Sequence, residues 1–172
     1  MSNKSGESEL HTKIDSDRRR LVTTLLAGSG AALTTAVVAK AEDVDDLRFP
    51  GDEPTHKIVY QLNKADIATQ EHILFSIGAV LRKYGDDVKI VVACFGEGLQ
   101  VLAKKPIRSI AKSAKTRISS MAQYGIEFHA CGNTLESLSW TMDELIEEAS
   151  YVESGVADIM EMQEQGYAYF SW

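Results

Sequence analysis

The sequence predicts an open α/β sandwich of three layers, with helices over both faces of a mainly parallel sheet of about five strands. Apolar, β-rich runs alternate with helical patterns from residue 56 to the end, which is the order of a parallel sheet with crossover helices. One run, "VKIVVACF" (88–95), is nearly all apolar, as a strand buried on both faces must be. No Asn-Gly or Asp-Gly hairpin signal interrupts the alternation.

The elements follow in order. "HKIVYQLN" (56–63) reads as the first strand. In "QEHILFSIGAVLRKYG" (70–85), Ile73, Leu74, Ile77, Val80 and Leu81 recur at helical spacing, and Gly85 is placed to end the helix. The second strand is 88–95. "GEGLQVLAKKP" makes a turn and at most one helical turn before Pro106, and "SIAKSAKTRISSMAQYG" (109–125) is a second helix closed by Gly125. "IEFHAC" (126–131) is the third strand. "TLESLSWTMDELIEEA" (134–149) holds one or two short helices, with a capping box at Thr141 and Glu144 and a solvated acidic face in "DELIEE". "SYVES" (150–154), an amphipathic helix over 155–166 and the terminal strand "YAYF" (167–170) complete the domain.

The amino terminus reads as an address. Arg18, Arg19 and Arg20 precede the apolar pair Leu21 and Val22, an uncharged run rich in small residues continues to Ala39, and "AKA" supplies a small-x-small cleavage pattern. Residues 1–41 are predicted to be a twin-arginine export signal, residues 42–55 a charged linker and residues 56–172 the folded domain. An uncleaved membrane anchor is the alternative, since the run approaches the ~20 residues that span a bilayer. On the export reading the protein is periplasmic and meets the membrane only through this segment before cleavage.

Charge narrows the partners. The 172 residues carry 18 basic and 25 acidic side chains, a formal charge of −7. Residues 1–41 hold six of the basic and four of the acidic ones, so the remainder has 12 against 21 and a charge of −9. An acidic chain without a basic, aromatic-laced stripe is not expected to bind nucleic acid. The glycine turns form neither GxGxxG nor a Walker A loop, so no nucleotide or other cofactor is expected.

In such sheets ligands gather beyond the carboxyl ends of the strands. Four loops leave that edge, after Asn63, Phe95, Cys131 and Glu153. Cys131 closes the third strand and is followed by Gly132, Asn133 and Thr134, where free amide N–H groups at a helix start would favour a thiolate. Position alone leaves a buried structural cysteine equally open. Cys94, inside an apolar run, reads as core, with a Cys94–Cys131 disulfide as a minor alternative if the strands are neighbours. His129 shares a sheet face with Cys131, but two ligands do not make a metal site, so no metal is assigned and a packed or surface histidine is expected. His72 and His56 read as structural, and Tyr60, Tyr167, Tyr169, Trp140 and Trp172 as core or interface aromatics. No Ser-His-Asp arrangement or close acid pair is evident.

"GIEFHACGNTL" (125–135) together with "ESGVADIMEMQEQGYAYF" (153–170) resembles the DsrE/DsrF-like family of small sulfur-relay proteins, across about residues 56–170. The resemblance implies a flavodoxin-like parallel sandwich assembled into homo-oligomers, trimers or hexamers. It implies further that the cysteine at the "CGNT" position, Cys131, accepts a sulfane sulfur as a persulfide and passes it on. The donor or acceptor would be a protein or a small sulfane-sulfur compound. Asn133, Thr134, Gly132, Ser154 and Gly155 would shape the pocket, with Gly96 and Gly98 contributing from the neighbouring turn. Two features depart from the family's pattern: an export signal, and a "CFGEG" loop with no histidine to act as a base. A non-catalytic oligomeric binding or assembly module is the alternative function, and metal handling by Cys131, His129 and Cys94 a weaker one.

Overall fold

The computed structural model describes residues 51–172. The predicted export signal and most of the predicted linker lie outside the described residues. The described chain runs β1 (His56–Leu62), α1 (Ile67–Tyr84), β2 (Val88–Cys94), a 3-10 helix (Gly96–Leu102), α2 (Ala114–Gln123), β3 (Glu127–Cys131), α3 (Gly132–Ser137), a 3-10 turn (Met142–Glu144), β4 (Ala149–Val152), α4 (Gly155–Glu164) and β5 (Ala168–Ser171).

All five strands are parallel, in the order β4-β3-β2-β1-β5. The chain steps from β1 through β2 and β3 to β4, then crosses back to lay β5 on the far side of β1. Right-handed crossovers put their helices on one face for one direction of travel and on the opposite face for the other. Accordingly, Ile73, Leu74 and Ile77 of α1, Ile118 of α2 and Leu99 and Leu102 of the 3-10 helix bury the first face, against Tyr60, Leu62, Ile90, Val92 and Phe128. Among the described residues only α4 covers the second face, where Ile159 packs with Val59, Val91, Ala93 and Tyr167. Because α4 leaves from the end of β4, its first turn rises beside the carboxyl end of β3.

Local signals explain most element boundaries. Asp66 accepts from the Thr69 N–H at 2.7 Å and starts α1 three residues before the predicted boundary. Gly85, at φ 59°, closes that helix with its N–H on the Leu81 carbonyl. The 109–125 helix begins only at Ala114, because the buried Gln70 side chain takes the Ala111 N–H at 2.8 Å and holds the preceding residues in an irregular path. The capping box at Thr141 and Glu144 forms, yet the helix predicted through "DELIEE" stops at Glu144. There Leu145 is pulled into the core and bridges Ala103. Of the aromatics, Tyr60 and Tyr167 are buried, whereas Tyr169 and Trp172 are exposed. His56 packs on Tyr84 and His72 on Trp172. Among the described residues no helix is long and apolar enough to cross a membrane.

Candidate functional site

The carboxyl ends of β2, β3 and β4 meet at Cys131. It is the last residue of β3 and the N-cap of α3, so the next amides have no partner within the helix. Burial among apolar atoms opposes ionisation of its thiol, as it must. The N–H of Gly155, the hydroxyl and N–H of Thr134, and the N–H of Asn133 act against it as hydrogen-bond donors, and the thiol is held below its ordinary range. Donors to an ionised acceptor are worth about 1.5–3 kcal/mol each, which is why several together outweigh the desolvation.

Three loops build this cup. Thr134 is oriented by the neighbouring turn, since its Oγ1 accepts the Gly96 N–H at 2.9 Å and its own proton is left for the sulfur. Asn133 donates its N–H to the Glu153 carbonyl as well, at 3.2 Å, which ties the α3 start to the end of β4. Gly155 opens α4 and lies so close that a Cβ there would sit 3.0 Å from Phe95 Cδ1 and 3.3 Å from Cys131 Cβ. A side chain at 155 would therefore push the donor away. Ser154 caps α4 by a long 3.5 Å bond from the Ala157 N–H. Gly132 packs beneath the Tyr151 ring.

Gly98, the remaining site residue read from the sequence, is placed differently. Its N–H donates to the Phe95 carbonyl, and a Cβ on it would overlap the Leu62 carbonyl, so its smallness lets the 3-10 helix close on the end of β1. Phe95, which walls the Gly155 side, escaped the sequence reading, although its place between Cys94 and the glycine turn was a usable signal.

Cys94 and Cys131 are both free thiols. Cys94 pairs across the ladder with Ala130, so Cys131, one residue on, points to the opposite face. The disulfide alternative is thereby overturned. His129, two residues before Cys131 and on its face, gives both ring nitrogens to carboxylates: Nδ1 lies 2.8 Å from Asp158 Oδ2 and Nε2 3.3 Å from Glu127 Oε2. Of the two placements expected from the sequence, packed or surface, His129 takes the packed one. Among the described residues no group of three or more His, Cys, Asp or Glu is arranged to hold a metal ion.

The fold has counterparts among solved structures. A protein of unknown function from Methanobacterium thermoautotrophicum, MTH1491, superposes with a TM-score of 0.61 at 24% identity, over 67% of this chain and 97% of that one. A conserved protein of unknown function from Bacteroides thetaiotaomicron, BT1422, gives a TM-score of 0.48 at 18% identity, over 67% of this chain and 94% of that one. No curated protein matches the chain. Residues 56–172, the whole sheet and every loop of the cup, match the DsrE/DsrF-like family, and the chain belongs to that family, which points at its coarsest to a role in sulfur relay.

Proposed function

We propose that the protein is a sulfur carrier that holds sulfane sulfur as a persulfide on Cys131. One observation carries this reading: the donors of Gly155, Thr134 and Asn133 converge on a single thiol and favour its ionised form. The thiolate attacks the outer sulfur of a donor R–S–S⁻ or polysulfide, a new S–S bond forms, and the old S–S bond breaks with its electron pair leaving on the donor. The same donors that steady the thiolate steady the persulfide anion. A thiolate of the acceptor then takes the outer sulfur, and Cys131 departs as a thiolate, which the cup again stabilises. The donors lessen the need for a general base, because they raise the share of the thiol that is ionised at a given pH. We place the carrier in an exported, homo-oligomeric context, on the strength of the amino-terminal signal and the family resemblance.

The test is mass spectrometry of the intact protein after polysulfide treatment and removal of excess reagent. A gain of one sulfur in the wild type and none in Cys131→Ser is the expected result, and an unmodified wild type overturns the proposal. The second reading, a non-catalytic oligomeric binding module, is favoured by one observation: Cys131 is only 5% exposed. Failure of small alkylating reagents to reach Cys131 in the native protein selects that reading.

A further inference from the structure

Beside the cup lies a hydrogen-bonded cluster for which the sulfur chemistry has no direct use. His129 and Asp158 are nearly buried, with side chains 11% and 12% exposed, and meet at 2.8 Å. An ionised carboxylate only accepts, so the imidazole proton on Nδ1 faces Asp158. Asp158 belongs to the first turn of α4, whose first residue, Gly155, presents its N–H to Cys131. Among the described residues, the only other side-chain hydrogen bond on that turn is the Ser154 cap, at 3.5 Å the limit of a hydrogen bond. The close contact is therefore what seats the first turn of α4 on β3.

We propose that Asp158 and His129 are positioning residues for the sulfur chemistry of Cys131: their hydrogen bond clamps α4 to β3 and so keeps the Gly155 N–H aimed at the thiol. The inference rests on Cys131 being the working thiol of the proposed function. Neither residue touches the sulfur; both act through the backbone of Gly155. The close fit of Gly155 against Phe95 and Cys131 explains why a small displacement matters, since N–H···S⁻ bonds weaken quickly with distance and angle.

The charged groups around the clamp give the test its sign. His129 faces Asp158 from α4 and Glu127 from its own strand; Glu127 also pairs with Lys89 of β2 at 3.2 Å, and Lys89 reaches Tyr167 before β5. If Asp158 acted only as a nearby negative charge, its removal would favour the thiolate and lower the thiol midpoint. If it acts as a clamp, its removal frees the Gly155 donor and raises the midpoint. The two roles move the same observable in opposite directions.

The experiment is the rate of iodoacetamide alkylation of Cys131 in the full chain against pH, with thermal melts to confirm folding. Asp158→Ala is expected to raise the midpoint by about one pH unit, a tenfold loss of thiolate at neutral pH. Asp158→Asn, which keeps a hydrogen bond to the imidazole and loses only the charge, is expected to hold the midpoint at or slightly below that of the wild type, as is Glu127→Gln. A wild-type or lowered midpoint in Asp158→Ala overturns the clamp. Should Asp158→Ala not fold, Asp158→Ser, too short to reach the imidazole, takes its place, and a wild-type or lowered midpoint there overturns the clamp. Alkylation needs no sulfane sulfur, so a protein that never loads sulfur yet shows these shifts refutes the proposed function and leaves the clamp standing.

Discussion

Cys94 and Cys131 end neighbouring strands, one residue out of register, in opposite electrostatic settings. Cys94 is fully buried on the face covered by α1 and α2, its only hydrogen bond among the described residues is a long 3.8 Å one to the Val92 carbonyl, and burial drives its thiol far above the ordinary range. Cys131 is nearly as buried, yet its thiol is held below that range by donors from three residues. Burial alone therefore does not decide whether a thiol is inert. What decides is whether N–H and hydroxyl donors have been turned toward the sulfur, as they are at Cys131, which ends a strand and starts a helix.

The largest expected effect tests that difference directly. In native protein at neutral pH, iodoacetamide reacts at Cys131, while Cys94 reacts only when the fold opens. With unfolding free energies of about 5–15 kcal/mol, the two rates should differ on the order of a thousand-fold or more. Peptide mapping after timed alkylation reads both rates in one sample, and equal labelling of the two cysteines would erase the distinction. Stability should show the reverse ranking. Cys94→Ser buries a hydroxyl in an apolar layer and is expected to cost about 1–3 kcal/mol in urea unfolding. Cys131→Ser keeps a polar acceptor among polar donors and should lie within about 0.5 kcal/mol of the wild type.

How far this was legible in the sequence follows from the range of each interaction. The apolar runs marked every strand and placed Cys131 on the edge beyond β3, because strand burial is written in consecutive residues. Gly85 and the Thr141–Glu144 box were equally local. The late start of α2 was not legible, since it is set by Gln70, 41 residues away from Ala111. The 3-10 helix over Gly96–Leu102 has no apolar period of its own and forms because Gly98 seats against Leu62. In the site, Gly132, Asn133 and Thr134 were readable as a run. That Gly96 would orient Thr134 and that Asp158 would reach His129 depended on which loops the topology brings together.

Thr134 sharpens the comparison by making the Cys131 setting more like that of Cys94. Thr134→Val keeps the shape but removes both the hydroxyl donor to the sulfur and the acceptor of the Gly96 N–H. The alkylation midpoint of Cys131 is expected to rise by about one pH unit, about 1.4 kcal/mol in favour of the thiol. Gly96 is exposed, so water replaces the lost acceptor and the melting temperature should move little. Thr134→Ser restores both bonds and should restore the midpoint. A Val variant with an unaltered profile would remove the hydroxyl from the account of thiolate stability.

The smallest expected effect is in the pH dependence of folding, where the two thiols pull in opposite directions. In Cys131 the folded midpoint lies below the unfolded one of about 8.5. Its contribution is complete above the unfolded midpoint and is lost as pH falls through the folded one. The stability gap between wild type and Cys131→Ser should therefore widen with rising pH and level off near pH 9. In Cys94 the folded midpoint is raised, so its contribution is complete below the unfolded midpoint. Above about pH 8.5 the unfolded thiol ionises while the folded one stays protonated, and the gap between wild type and Cys94→Ser should narrow by at most about 1.4 kcal/mol per pH unit. Urea unfolding of the three proteins between pH 6 and 10 under reducing conditions measures both slopes. Taking differences removes the lysines and tyrosines that titrate in the same range, so slopes of the same sign would mean that the cup at Cys131 does not favour the thiolate over water.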